Sequence, residues 1–107
     1  MEKILLVDDE PNVLEGFRRQ LRKKYSVHAA LSGTEGLIEI AAEGPFAVIV
    51  SDMRMPVMDG IAFLTEVRKI TPESVRMMLT GNADQRTAID AINRGAIFRF
   101  LTKPCSQ

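Results

Sequence analysis

A single cysteine, Cys105, leaves no internal disulfide to form, and with no histidine near it in sequence it reads as an incidental thiol rather than a nucleophile. The one histidine, His28, lies in a short strand pattern with no second imidazole or thiolate cluster to share a metal. Tryptophan is absent and Tyr25 is the one tyrosine. Net charge is absent too: fourteen basic residues cancel fourteen acidic ones, so no overall field favours DNA, RNA or an anionic membrane surface. The lack of a signal-like segment and of a long apolar run points to a soluble, cytoplasmic protein. With no repeat, linker or low-complexity stretch, 107 residues at 46% hydrophobic content make one domain with one core.

What is present is organised around residues 47–60, AVIVSDMRMPVMDG. Four apolar residues, β-branched and without alternation, run into one carboxylate, Asp52, which reads as a parallel strand buried on both faces. Asp52 then sits at the carboxyl end of its strand, where open α/β sheets bind their ligands. Ile4-Leu5-Leu6-Val7 is a second such run, and it ends in Asp8-Asp9-Glu10.

Between and after these runs the pattern alternates. Pro11 suits the first turn of a helix, and Val13, Leu14, Phe17 and Leu21 recur at helical spacing. The opposite face, Arg18, Arg19, Arg22, Lys23 and Lys24, reads as a solvated basic surface whose cations fall towards the favoured end of the helix dipole. Residues 26–31 form a weaker, mixed strand suited to an edge. Ser32 and Glu35 have capping-box spacing ahead of Leu37, Ile40 and Ala41, and Gly44-Pro45 stops that helix. Asp59 is a candidate N-cap for a helix carrying Ile61, Leu64, Val67 and Ile70, closed by Thr71-Pro72. Residues 74–79 make a fourth strand. Asn82 to Gln85 again has capping-box spacing, ahead of a stripe of Ala88, Ile89 and Ile92 that ends near Asn93-Arg94-Gly95. Residues 97–101 make a fifth strand, in which Arg99 between Phe98 and Phe100 restores the alternation of an edge.

Five strands alternating with four helices predict a parallel sheet covered on both faces by right-handed crossovers. With the two apolar runs in the middle, the strand order 2-1-3-4-5 of the doubly wound, flavodoxin-like α/β fold fits the expected burial. That order makes the first and third strand ends neighbours and brings Asp8, Asp9 and Asp52 together. Clustered carboxylates either rise in pKa or hold a cation, and an oxygen-only donor set suits Mg²⁺. Alternatively, Asp8 and Asp9 merely cap the first helix. Thr80 and Lys103 close the fourth and fifth strands, where a hydroxyl and an ammonium can meet phosphoryl oxygens. A carboxylate nucleophile, a metal and two donors are equipment for placing a phosphoryl group on an aspartate. Lys103-Pro104 is a candidate cis peptide aiming the lysine inward, against the trans default. Met53, Met55, Met58, Met77 and Met78 read chiefly as packing, with an adaptable docking rim around Asp52 as the alternative.

LLVDDEP, SDMRMPVMDG, Leu79-Thr80-Gly81 and LTKP together resemble the receiver domain of bacterial two-component response regulators over the whole chain. The resemblance implies that a histidine kinase or phosphotransfer protein phosphorylates Asp52. It implies Mg²⁺ on Asp9, Asp52 and the backbone carbonyl of Arg54, with Asp8 helping through water. Lys103 would contact the phosphoryl group, Thr80 would move towards it, and Phe100 would act as the aromatic switch. The face of the fourth helix and fifth strand would then change to control an output domain or partner protein, and the same face allows a homodimer. Family members carry a further helix after Gln107, so part of the sheet is expected to lack its cover. The Arg54 side chain is expected to point outward near the site, altering access to the phosphoryl group or simply solvated.

Other readings are an aspartate-nucleophile phosphatase, a flavin-binding protein and a phosphorylation-independent interaction module on the same fold. The first expects a second aspartate two residues after a nucleophile on the first strand, whereas Asp8 is followed by Asp9-Glu10. The second expects a Gly/Ser/Thr phosphate cradle, where this chain is acidic. Residues 79–104 are similar to receivers attached to HD-GYP phosphodiesterases or to transcriptional activators, and none of these residues would itself perform such an output.

Overall fold

The computed structural model describes residues 2–81, 85–94, 97 and 99–102, with the backbone alone at 85, 101 and 102. In chain order the elements are β1 (Lys3–Val7), α1 (Pro11–Leu21), β2 (Ser26–Ala30), α2 (Gly33–Glu43), β3 (Val48–Asp52), α3 (Gly60–Ile70), β4 (Val75–Thr80), α4 (Gln85–Asn93) and β5 (Arg99–Thr102). All pairings are parallel and the order is β2-β1-β3-β4-β5, as the burial pattern predicts.

The uninterrupted apolar runs make sense on this sheet because alternate residues serve opposite faces. Leu5, Val7, Ile49 and Met78 point into the larger cluster, with Ile40 of α2, Phe63, Leu64 and Val67 of α3, and Ala88 and Ala91 of α4. Ile4, Leu6, Val50 and Leu79 point the other way, into a smaller cluster with Leu14 of α1. There Val13, Phe17, Val48 and Met77 stay only partly buried, and α1 is the one helix of that face among the described residues.

The helix ends follow their sequences closely. Asp59 caps α3 by accepting a hydrogen bond from the Ala62 N–H at 2.8 Å. Ser32 caps α2 by accepting from the Glu35 N–H at 3.1 Å, but the expected reciprocal bond is displaced. Glu35 Oε1 accepts from the Leu31 N–H, one residue beyond Ser32. Neither Asp8 nor Asp9 occupies the cap of α1: that residue is Glu10, whose side chain makes no capping bond.

Three expectations need correction. β4 begins at Val75, because Ser74 turns its hydroxyl onto the Phe46 carbonyl at 2.6 Å, and it extends to Thr80. β5 begins at Arg99, with Ile97 ahead of it and buried in the larger cluster. In the helices, Ile89 and Ile70 are 47% and 59% exposed, so neither belongs to its core stripe. The inward face of α4 is made by Ala88, Ala91 and Ile92, at spacings of three and four residues. Ile89 is turned about 100° away from Ala88, as any next residue on a helix is. Asn82, Gly95 and Phe98 lie outside the described residues.

Candidate functional site

Because β1 and β3 are hydrogen-bonded neighbours, their C-terminal ends deliver acids from distant parts of the chain to one place. Asp52 is the last residue of β3 and Asp8 follows the last residue of β1; both are buried, at 7% and 1% exposure, while Asp9 is exposed. One carboxylate oxygen from each of the three lies within 4.8 Å of the others. Unit charges that close repel by about 3 kcal/mol at an effective dielectric of 20, less for the solvated Asp9. Three carboxylate oxygens so arranged could hold a metal ion.

The backbone keeps the acids in place. The Asp8 N–H donates to the Ala30 carbonyl at 3.2 Å, and Asp8 Oδ1 accepts from the Glu10 N–H at 2.9 Å, a local turn that aims the carboxylate back over the strand end. On β3 the Ser51 hydroxyl donates to the Asp52 carbonyl at 2.9 Å, and the Met53 N–H donates to Leu79 of β4 at 3.0 Å. Thr80, one residue past the partner of Asp52, is fully buried, and its hydroxyl donates to the Gly81 carbonyl at 2.7 Å. Thr102 pairs with Thr80 on β5, and the residue after it, Lys103, lies outside the described residues, as do Pro104 and Cys105. Phe100 is half-buried on β5 and packs against the larger cluster.

Two features of the segment between β3 and α3 are not legible from residue types. Gly60 opens α3 directly against the strand end: a Cβ there would overlap the Asp52 carbonyl oxygen and lie 2.9 Å from the Met53 Cα. Its N–H donates to the Met53 carbonyl at 2.8 Å, so helix and strand end are held in contact. Val57 has a φ of 70° and is fully exposed. The Met58 N–H donates to the Pro56 carbonyl at 2.7 Å across it, closing a γ-turn, a conformation that is strained for a β-branched residue. Val57→Gly should therefore raise stability by about 1 kcal/mol, strain relief exceeding the entropy cost of glycine. Chemical denaturation, with the midpoint rising at unchanged slope, checks it.

The methionines follow the packing reading. Met53, Met55 and Met78 are buried, and Met58 is partly buried beside Gly33 of α2. Arg54 is exposed and, with Met53, Met55, Ile61 and Thr87, lines a cleft of about 530 Å³ between the segment after β3 and α4. His28 belongs to no cluster of metal-ligating side chains among the described residues: Nδ1 is 2.8 Å from Glu39 Oε2 on α2, and its ring meets Phe46 edge-on.

An acid cluster at adjacent strand ends of a 2-1-3-4-5 sheet narrows the choice of family, and comparison with known proteins decides it. Residues 4–107 match the family described as the response regulator receiver domain. The chain belongs to that family. The receiver is 35% identical over 101 residues to the hydrogenase transcriptional regulatory protein HoxA of Cupriavidus necator, an alignment covering 94% of this chain and 21% of that protein. It is 42% identical to the sensor kinase CckA of Brucella abortus over 96% of this chain and 11% of that one. Among solved structures, a response regulator receiver domain protein from Clostridium thermocellum superposes with a TM-score of 0.92 at 36% identity, over 99% of this chain and 85% of that one. The receiver spans about a fifth of the length of HoxA and of other transcriptional regulators it matches. No helix among the described residues is long and apolar enough to cross a membrane.

Proposed function

We propose that the receiver is a phosphorylation-controlled switch whose phosphoacceptor is Asp52. The observation that carries the reading is the meeting of Asp8, Asp9 and Asp52 within 4.8 Å at neighbouring strand ends. In the proposed reaction a carboxylate oxygen of Asp52 attacks the phosphorus of a phosphohistidine on a kinase or phosphotransfer protein. The P–N bond breaks, the imidazole leaves and takes a proton from solvent, and an acyl phosphate remains on Asp52. Water later hydrolyses it, so the receiver turns over only its own phosphoryl group.

The donor set fits Mg²⁺: the three carboxylates are hard oxygen ligands, and the exposed Asp9 leaves room for retained waters. The Arg54 backbone carbonyl is proposed to join them, with Asp8 helping through water. The bound ion would neutralise negative charge gathered between the acids and the phosphoryl oxygens. Lys103 is proposed to place its ammonium on one phosphoryl oxygen. The Thr80 hydroxyl, now spent on the Gly81 carbonyl, would exchange that partner for another phosphoryl oxygen. As Thr80 turns, Phe100 on the neighbouring strand would follow it inward and reshape the surface of α4 and β5. That surface would act on an output region or partner protein, or on a second receiver, in the cytoplasm. The relatives named transcriptional regulatory proteins make gene control the output class that fits best.

Intact-protein mass spectrometry after incubation with acetyl phosphate tests the reading. One phosphoryl adduct is expected on the wild type with Mg²⁺, none with EDTA, and none on Asp52→Asn. An adduct that survives Asp52→Asn, or a folded wild type that gains none, would overturn it.

A further inference from the structure

Ser51 breaks the apolar pattern of the strand that carries Asp52. Alternation along β3 puts it on the same face as Ile49, and the register sets it between Val7 of β1 and Met78 of β4. These three neighbours are apolar, buried and part of the larger cluster, and Ser51 itself is fully buried. Packing on that face explains a small residue but not a hydroxyl. Alanine would fill nearly the same space with no polar group to take out of water. A buried polar atom that packing does not require is a local conflict of the kind that functional sites retain.

The hydroxyl bonds to the peptide group that joins Asp52 to Met53, and that group is held at both ends. Its carbonyl accepts from Ser51 Oγ at 2.9 Å, and its N–H donates to the Leu79 carbonyl of β4 at 3.0 Å. Gly60, the first residue of α3, closes over the same carbonyl and donates its own N–H to the Met53 carbonyl at 2.8 Å. The sheet ladder fixes the peptide group before Asp52, and these bonds fix the one after it. Because peptide groups are planar, two fixed neighbours set both backbone dihedrals of Asp52 and so the direction of its Cα–Cβ bond. Asp8 and Asp9 reach the same place from another segment, so any turn of that bond changes the spacing of the three carboxylates. We infer that Ser51 is a positioning residue for phosphoryl transfer, whose hydroxyl aims the Asp52 carboxylate by clamping the peptide group behind it. The inference rests on the reading of Asp52 as phosphoacceptor. Attack on phosphorus tolerates little error in the place of the attacking oxygen: a displacement of about 1 Å can cost about a hundredfold in rate.

The test is the rate at which the whole chain gains a phosphoryl group from acetyl phosphate, followed by intact mass as donor and Mg²⁺ are varied. Ser51→Ala removes the donor, and Ser51→Cys keeps the shape with only a weak S–H donor. Ile40→Val, in the buried face of α2, lowers stability without touching the clamp and stands for a merely structural loss. Both Ser51 variants should be about tenfold slower at saturating acetyl phosphate, with the donor concentration for half-maximal rate unchanged. Both should also need severalfold more Mg²⁺, because Asp52 belongs to the carboxylate cluster as well. Ile40→Val should keep the wild-type rate and Mg²⁺ requirement. Ser51 variants at the wild-type rate, or a slowing that Ile40→Val reproduces, would overturn the role of Ser51 alone. A folded wild type that gains no phosphoryl group would overturn the reading of Asp52 and the role of Ser51 together.

Discussion

Gly60→Ala should destabilise the receiver by about 2 kcal/mol or more and strip the acid cluster of its geometry. Two effects of opposite sign compete. Alanine favours a helix over glycine by about 1 kcal/mol, and no left-handed conformation at Gly60 opposes the change. Against this, the new methyl group would overlap the Asp52 carbonyl oxygen and press on Met53. Overpacking against side chains costs about 1–3 kcal/mol, and a strand-end backbone pinned by Ser51 and Leu79 cannot rotate aside as a side chain can. Sterics therefore win. The backbone that must move carries Asp52, so Mg²⁺-dependent stabilisation of the fold should fall along with stability. Gly16→Ala supplies the contrast: a Cβ there meets nothing within 4 Å, so the same substitution in mid-α1 should stabilise by about 0.5–1 kcal/mol. Denaturation curves with and without Mg²⁺ check both, and a Gly60→Ala protein as stable and as Mg²⁺-responsive as wild type would refute the contact.

Phe63→Ala should cost about 3–5 kcal/mol, the range for deleting a buried aromatic ring. Phe63 is the largest of the fully buried side chains among the described residues. Its ring lies against Gly36 of α2: a Cβ there would stand 2.8 Å from Phe63 Cε1 and 3.2 Å from Val7 Cγ2. Gly36 has no side chain with which to refill the space, so collapse would require α2 itself to move. For a domain of this size the loss should lower the melting temperature by more than about 12 °C. Since domains have only about 5–15 kcal/mol in total, such a variant should show unfolded protein at modest denaturant concentrations. Phe63→Leu, which keeps most of the volume, should lose less than half as much.

The parts of the fold that were legible in the sequence were those set by local pattern. The buried strands announced themselves as unbroken apolar runs, the edges β2 and β5 by mixed or alternating composition, and α3 by its Asp59 cap. Strand order followed from burial, and with it the meeting of Asp8, Asp9 and Asp52. What escaped depends on contacts between segments. Nothing in the residue types says that the Gly60 Cα must rest on the Asp52 carbonyl, or that Val57, an ordinary strand residue elsewhere, is held at positive φ by a Pro56–Met58 hydrogen bond. Ile89 was misread because Ala88 fits two apolar stripes, and only packing against β4 and β5 selects the one through Ala91. The displaced bond of Glu35 shows the same limit: spacing names the partners, while the reach of one carboxylate decides which N–H it takes.

The unequal division of the core has a consequence for motion. α2, α3 and α4 share one large apolar cluster, whereas α1 rests on a smaller one whose outer members are half open to water. Opening free energies should follow that division, since regions with few buried contacts release their backbone hydrogen bonds at lower cost than the whole domain. Amide protons of α1 should exchange with solvent well before those of β3 and α3, by an excursion that leaves the rest of the sheet standing. Seen this way, the receiver is a rigid half that keeps the acids in register and a looser half that can yield.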